Sequence, residues 1–272
     1  MPPKRKKLRL PGKCIFCDSL GVTKEHLVAE WISNLIPRKP TDSRIHTVVE
    51  ININADGSLS SRPSSRKLQG SLHSQKLKVA CRPCNNEWMS RVENAAKPVL
   101  SSLIEGKPLV LNRDQQTGVA RWVTKTIMVA EAQSDSNVTF TLDDRNNLRL
   151  TGAVPGKIEI WLARYNGTQW STKLHRAPFH VSITPATGDL KTLYTQSVSL
   201  GLGNLLIFAS ISDPPGVIRF SPTAFSFGKK LVKIWPDPHA EIGIIGNAIT
   251  DSEADTLSEA LLGAMRSLSA RI

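Results

Sequence analysis

Two Cys-x-x-Cys pairs, Cys14/Cys17 and Cys81/Cys84, constrain this chain more than any other feature, because they contain all four of its cysteines. Each short turn can aim both sulfurs inward, and two such pairs can set four thiolates at the corners of a tetrahedron around one zinc ion. Residues 18–80 lie between the pairs, so the ion would clip two distant segments together. A site of four thiolates has no open position, and this zinc is therefore expected to be structural. A rubredoxin-like iron site and a redox pair are the alternatives. The chain has no apolar run of the roughly 18 residues that a membrane span needs, and no apolar stretch follows its basic start. The expectation is a protein of the reducing cytoplasm, where paired cysteines favour metal over disulfide.

The formal charge of +12 is concentrated around the cysteines: residues 1–100 carry 18 Lys and Arg against 8 Asp and Glu, while residues 101–272 carry 17 against 15. Such a distribution points to a polyanionic partner, DNA or RNA, for the cysteine-bearing part, with a solvated basic surface as the plain alternative. The candidate phosphate contacts are Lys4, Arg5, Lys6, Lys7 and Arg9 of the Pro-led opening, expected to be a flexible arm, and Arg62, Arg66 and Lys67. The last three fall in "RPSSRKLQGSLHSQ", which reads as a long cationic loop.

Apolar spacing divides the remainder. Leu27, Trp31 and Leu35 form a helical stripe behind Glu25-His26, closed by Pro37. "TVVEININADGSLSSR" alternates like a strand and turns at Asp56-Gly57, the signature of a hairpin. "LKVAC" reads as a short strand, followed by a helix with Trp88, Val92, Ala95 and Val99 on one face and an interruption near Pro98. A further helix is expected over residues 115–133, where Val119, Trp122, Val123, Thr126 and Ala130 share a side. From about Val138 to Ile245, "VTFTL", "KIEIWLARY", "FHVSIT", "NLLIFASIS" and "LVKIWP" predict a mostly antiparallel β region. A terminal helix, capped by Asp251 or Ser252, follows it. "GLGNLL" and "PGK" each lack the rest of a nucleotide-binding fingerprint.

The chemistry sits beside the cysteines. Glu25-His26 follows the first pair and Asn85-Asn86 follows the second directly. Taken together, Cys14, Cys17, Glu25, His26, Cys81, Cys84 and Asn85 resemble the HNH, or ββα-metal, endonucleases. The likeness is to a subgroup with C-x-x-C, an acid-His pair and C-x-x-C-N, and the longer strings "TKEHLVAEWI" and "CRPCNNEWMSRVE" share it. The resemblance covers about a third of the chain. It implies that His26 is the general base taking a proton from the attacking water, a task suited to an imidazole, which titrates near neutrality. It further implies that Glu25, in a position usually held by Asp, and Asn85 bind a catalytic Mg²⁺ or Mn²⁺. Asn86 is the backup ligand and Glu93 a third, since the two share a helical face. Asn52, Asn54, His73 and Gln75 are the candidates to orient His26, and Trp31 and Trp88 are expected to pack beneath the site. His175, His180 and His239 read as structural or surface residues.

The resulting expectation is an α+β protein with four parts. These are a basic arm at residues 1–13, a zinc-stabilised ββα-metal domain at 14–100, a helical connector at 101–135, and a β-rich domain with a terminal helix at 136–272. The expected activity is metal-dependent hydrolysis of phosphodiester bonds in DNA, by nicking or double-strand cleavage. A zinc-stabilised nucleic-acid-binding module without catalysis is the alternative, and an interaction protein working through its β region is a third.

Overall fold

A computed structural model describes residues 12–36, 43–53, 59–69, 72–133, 139–183, 191–215 and 222–259. The arm residues Lys4, Arg5, Lys6, Lys7 and Arg9, the hairpin turn at Asp56-Gly57, Asn54 and the last turns of the terminal helix lie outside them. The architecture is mixed helix and antiparallel sheet, α+β as expected.

Strands β1 (Val22–His26) and β4 (Lys76–Cys81) pair antiparallel, with a bulge at Thr23/Lys24. The pairing corrects the expectation that Glu25-His26 begins a helix. A strand partner far along the chain supplies the backbone bonds, and only a single 3₁₀ turn, Glu30–Asn34, follows. Leu27 still anchors this turn, since its N–H donates to Gln75 O at 2.9 Å and its side chain is buried.

Between them, β2 (Ser43–Ile53) and β3 (Leu59–Gln69) form the expected hairpin ribbon. Strand β3 extends through "RPSSRKLQ", where a loop was expected. Pairing in register with β2 satisfies a Ser-rich backbone that carries no strand signal of its own, and Pro63 is tolerated opposite Val49. In this register Arg62 stands opposite Glu50, Arg66 opposite His46 and Lys67 opposite Ile45.

Strand β4 runs straight into a helical stretch made of α1 (Arg82–Cys84), a π-helical turn (Asn85–Met89) and α2 (Ser90–Ile104). The strand–strand–helix order is thus built directly around the second cysteine pair. The π turn carries an extra residue, which rotates the inward face so that Ala96 is buried and Ala95 exposed. The helix also passes through Pro98, where a break was expected. Burial of Val99, Leu100, Leu103 and Ile104 outweighs the one lost backbone bond.

A short strand, β5 (Leu109–Asn112), leads into α3 (Arg113–Glu131), held at its start by a capping box between Asn112 and Gln115. Helix α3 matches the helix expected at 115–133, and it is buried on nearly all sides from Val119 onward. Residues 139–142 of "VTFTL" are not a strand: Thr141 caps α4 (Leu142–Thr151) in a second capping box with Asp144, and Gly152 ends it at φ 71°. The acidic, Asn-rich residues that follow make that capping choice decisive.

The remaining strands are β6 (Ile158–Arg164), β7 (Thr172–Ile183), β8 (Lys191–Leu202), β9 (Leu205–Asp213), β10 (Val232–Trp235) and β11 (Glu241–Ile244). Five form an antiparallel sheet in the order β10-β6-β9-β8-β7, and β11 pairs with β5. Alternation puts Ile158, Ile160, Leu162 and Ile207 in the core shared with α2 and α3. Trp161, Ala163, Leu206 and Phe208 face a second cluster that includes Ala254 and Leu257 of the helix at 251–259. Thr250 caps that helix through Glu253, displacing Asp251 and Ser252 from the expected role. Asp251 instead accepts from the Tyr165 hydroxyl and from Thr168 N–H. Among the described residues no helix is long and apolar enough to cross a membrane.

Candidate functional site

The two cysteine pairs meet. Cys14 and Cys17 lie on a turn closed by Cys14 N–H to Ser19 O at 2.8 Å and Asp18 N–H to Cys14 O at 3.0 Å. Cys81 ends β4 and Cys84 ends α1. All four sulfurs fall within 4.8 Å of one another, with Cys17 Sγ 3.5 Å from Cys81 Sγ and 3.6 Å from Cys84 Sγ. Tetrahedral zinc at about 2.3 Å from each sulfur would have edges of about 3.8 Å, so the four thiols are placed to hold one such ion. Packing thiols this closely already splits their titration. Hydrogen bonding with Cys84 pulls Cys14 down to about 4, while the same contact and burial push Cys84 up. Beside the cluster Trp88 is buried edge-on against Phe16, with ring centres 4.8 Å apart, and Trp31 is half-buried.

At the far end of β1, Glu25 and His26 point to opposite faces, as neighbours on a strand must. His26 turns outward, its side chain 19% exposed and its Nε2 3.8 Å from Glu30 Oε2. Directly across the ribbon His26 pairs with Lys76 and Lys24 with Lys78, so three exposed lysines share the His26 face. This basic face escaped the sequence reading, although "KEH" and "KLK" place their charges at alternate positions.

Glu25 turns inward and is buried. Its Oε1 lies 3.6 Å from Lys125 Nζ, and that ammonium donates to Glu93 Oε1 at 2.7 Å. Burial pushes the Glu25 carboxyl up to about 7, against the pull of Lys125 and with a further push from Glu93. Lys125 is wholly buried on α3, its stem enclosed by the core. The apolar run "VTKTIMVA" around it was the available signal, since a lysine inside such a run needs a buried acid.

Asn85 does not turn its amide nitrogen to the core. Its Nδ2 donates to Thr23 Oγ1 at 3.1 Å and to Lys24 O at 3.4 Å, and Thr23 Oγ1 donates on to Ala80 O at 3.0 Å. Asn85 therefore straps the start of the helical stretch to the bulge of β1. The structure brings Glu25 and Glu93 together at Lys125, and Asn86 is exposed on the π turn.

Of the candidates to orient His26, Gln75 donates to Gln133 Oε1 at 2.8 Å. The side chains of Asn52 and His73 lie outside the described residues, as do those of Arg62, Arg66 and Lys67. Glu30, one turn beyond His26, is an acid at that imidazole which the sequence reading did not single out. Comparison with family models, with curated proteins and with solved structures finds no match to this chain.

Proposed function

We propose that this protein is a metal-dependent endonuclease of the HNH type that hydrolyses phosphodiester bonds in DNA. The observation that carries the reading is the placement of His26: an outward imidazole at the end of a strand–strand–helix unit built on four cysteines, with three lysines on its own face. A lysine-lined face attracts a phosphate backbone, and a base set in that face can act on water beside it. The resemblance of the cysteine, Glu-His and Cys-Asn pattern to HNH enzymes supports the same reading.

In this reading His26 takes the proton of the attacking water, the new P–O bond forms as the bond to the leaving oxygen breaks, and that oxygen takes a proton from solvent. Lys24, Lys76 and Lys78 hold the backbone against the face. Glu25 and Glu93 would hold the divalent ion, because two carboxylates converging on one cation position are a donor set suited to Mg²⁺ or Mn²⁺. Asn85, strapped to β1 through its Nδ2, would offer its Oδ1 as the further ligand that the resemblance implies. When bound, such an ion would supply positive charge to offset negative charge on a phosphate that reaches it. Zinc on Cys14, Cys17, Cys81 and Cys84 has a structural role, joining β4 to the turn before β1.

One observation favours a second reading, a nucleic-acid-binding module without catalysis: Lys125 already neutralises part of the acid pair. Plasmid nicking separates the two. Supercoiled DNA is expected to be nicked in Mg²⁺ or Mn²⁺ and left intact in their absence, and His26→Ala should abolish nicking with zinc content unchanged. Salt-sensitive DNA binding with no divalent-dependent cleavage, or nicking that persists in His26→Ala, would leave the binding module as the better account.

A further inference from the structure

We propose that the Lys125 ammonium is the resident cation of the Glu25–Glu93 site, and that a divalent ion enters only by displacing it. The proposal rests on the nuclease reading for what the ion would do there, but its geometry stands independently. Glu25 arrives from β1, Glu93 from α2 and Lys125 from α3, so three separate elements converge on one buried point. The ammonium occupies the place between the carboxylates that a metal ion would take, at 3.6 Å and 2.7 Å from their oxygens.

Charge count then sets the competition. Two carboxylates against one ammonium leave the ionised cluster one negative charge in excess, whereas an ion of charge +2 would balance it. Among the described residues, Lys125 Nζ contacts the two acids. Because Lys125 is wholly buried, displacing its ammonium requires the side chain to swing out of the core on its flexible four-carbon stem. The built-in cation keeps the acids together when no metal is present, and its removal must come out of the binding energy of any ion that replaces it. Lys125 thereby sets the divalent concentration at which the site fills.

Mn²⁺ binding to the zinc-loaded full chain, followed by loss of the free-ion electron paramagnetic resonance signal, tests this without substrate. Lys125→Gln keeps a donor for Glu93 and removes the charge. It is expected to bind Mn²⁺ at least tenfold more tightly than wild type, and Lys125→Gln combined with Glu93→Gln should lose that gain. Equal affinities for wild type and Lys125→Gln would overturn the proposal, as would Mn²⁺ binding to neither. The nuclease reading is judged separately, by wild-type nicking. If Lys125→Gln does not fold without metal, Mn²⁺ should restore its circular dichroism spectrum, and a spectrum that stays unfolded throughout the titration would overturn the proposal.

Discussion

Helix α3 carries two buried charges that are treated in opposite ways. At its end, Glu131 accepts from Arg145 Nη2 at 2.5 Å, from Thr139 N–H at 2.9 Å and from Gln196. Gln196 in turn accepts from Arg176 at 3.1 Å, and the two arginines also donate to Met128 O and Ala130 O. Burial lowers both arginines, with Glu131 pulling against it. The bonds tie α3 to α4, β7 and β8 through fixed partners, several of them backbone groups. Lys125, earlier on the same helix, meets the side chains of Glu25 and Glu93, and its cluster has acid in excess. Burial of charge alone does not mark a functional site, because both clusters are buried. What separates them is whether the partners are fixed main-chain groups or side chains that another cation could claim.

The sharpest way to break this contrast is at the saturated cluster. Arg145→Ala leaves Glu131 without its charged partner and Met128 O without its donor. It should cost about 3–5 kcal/mol in urea unfolding. A cost below about 1 kcal/mol would mean that the Glu131 cluster is no more committed to the fold than the one at Lys125.

A smaller effect is expected at Glu25. Its folded carboxyl is raised from 4.5 to about 7, so it favours the folded state fully only below the unfolded value, and that contribution is lost as pH rises through about 7. Wild type should therefore lose stability relative to Glu25→Gln between about pH 4.5 and 7, by roughly 2–3 kcal/mol. Comparing urea midpoints of the two proteins across that range, without added divalent ions, checks this; parallel curves would place an ionised Glu25 comfortably in the core.

The contrast on α3 also shows which parts were legible in the sequence. The cysteine cluster was readable because its ligand spacing is local to each pair, and α3 because its 3.6-residue period is uninterrupted. Glu25-His26 read as a helix start because Leu27, Trp31 and Leu35 follow at helical spacing. The partner that makes it a strand, "KLKVAC", is remote in sequence. The extent of β3 was lost for the same reason, since its order comes from β2. Pro98 misled because its penalty is local while the burial that overrides it is tertiary. Lys125 could be placed on its helix but not in the site, because no local pattern says which acids a buried lysine will meet.

Glu93→Gln bears most directly on the claim that the Lys125 cluster serves the site and the Glu131 cluster serves the fold. The amide oxygen of Gln can still accept from Lys125, so the fold keeps its contact while the second carboxylate is removed. The account predicts an unfolding free energy within about 1 kcal/mol of wild type together with loss of divalent-dependent plasmid nicking. Nicking at the wild-type rate in Glu93→Gln would contradict it.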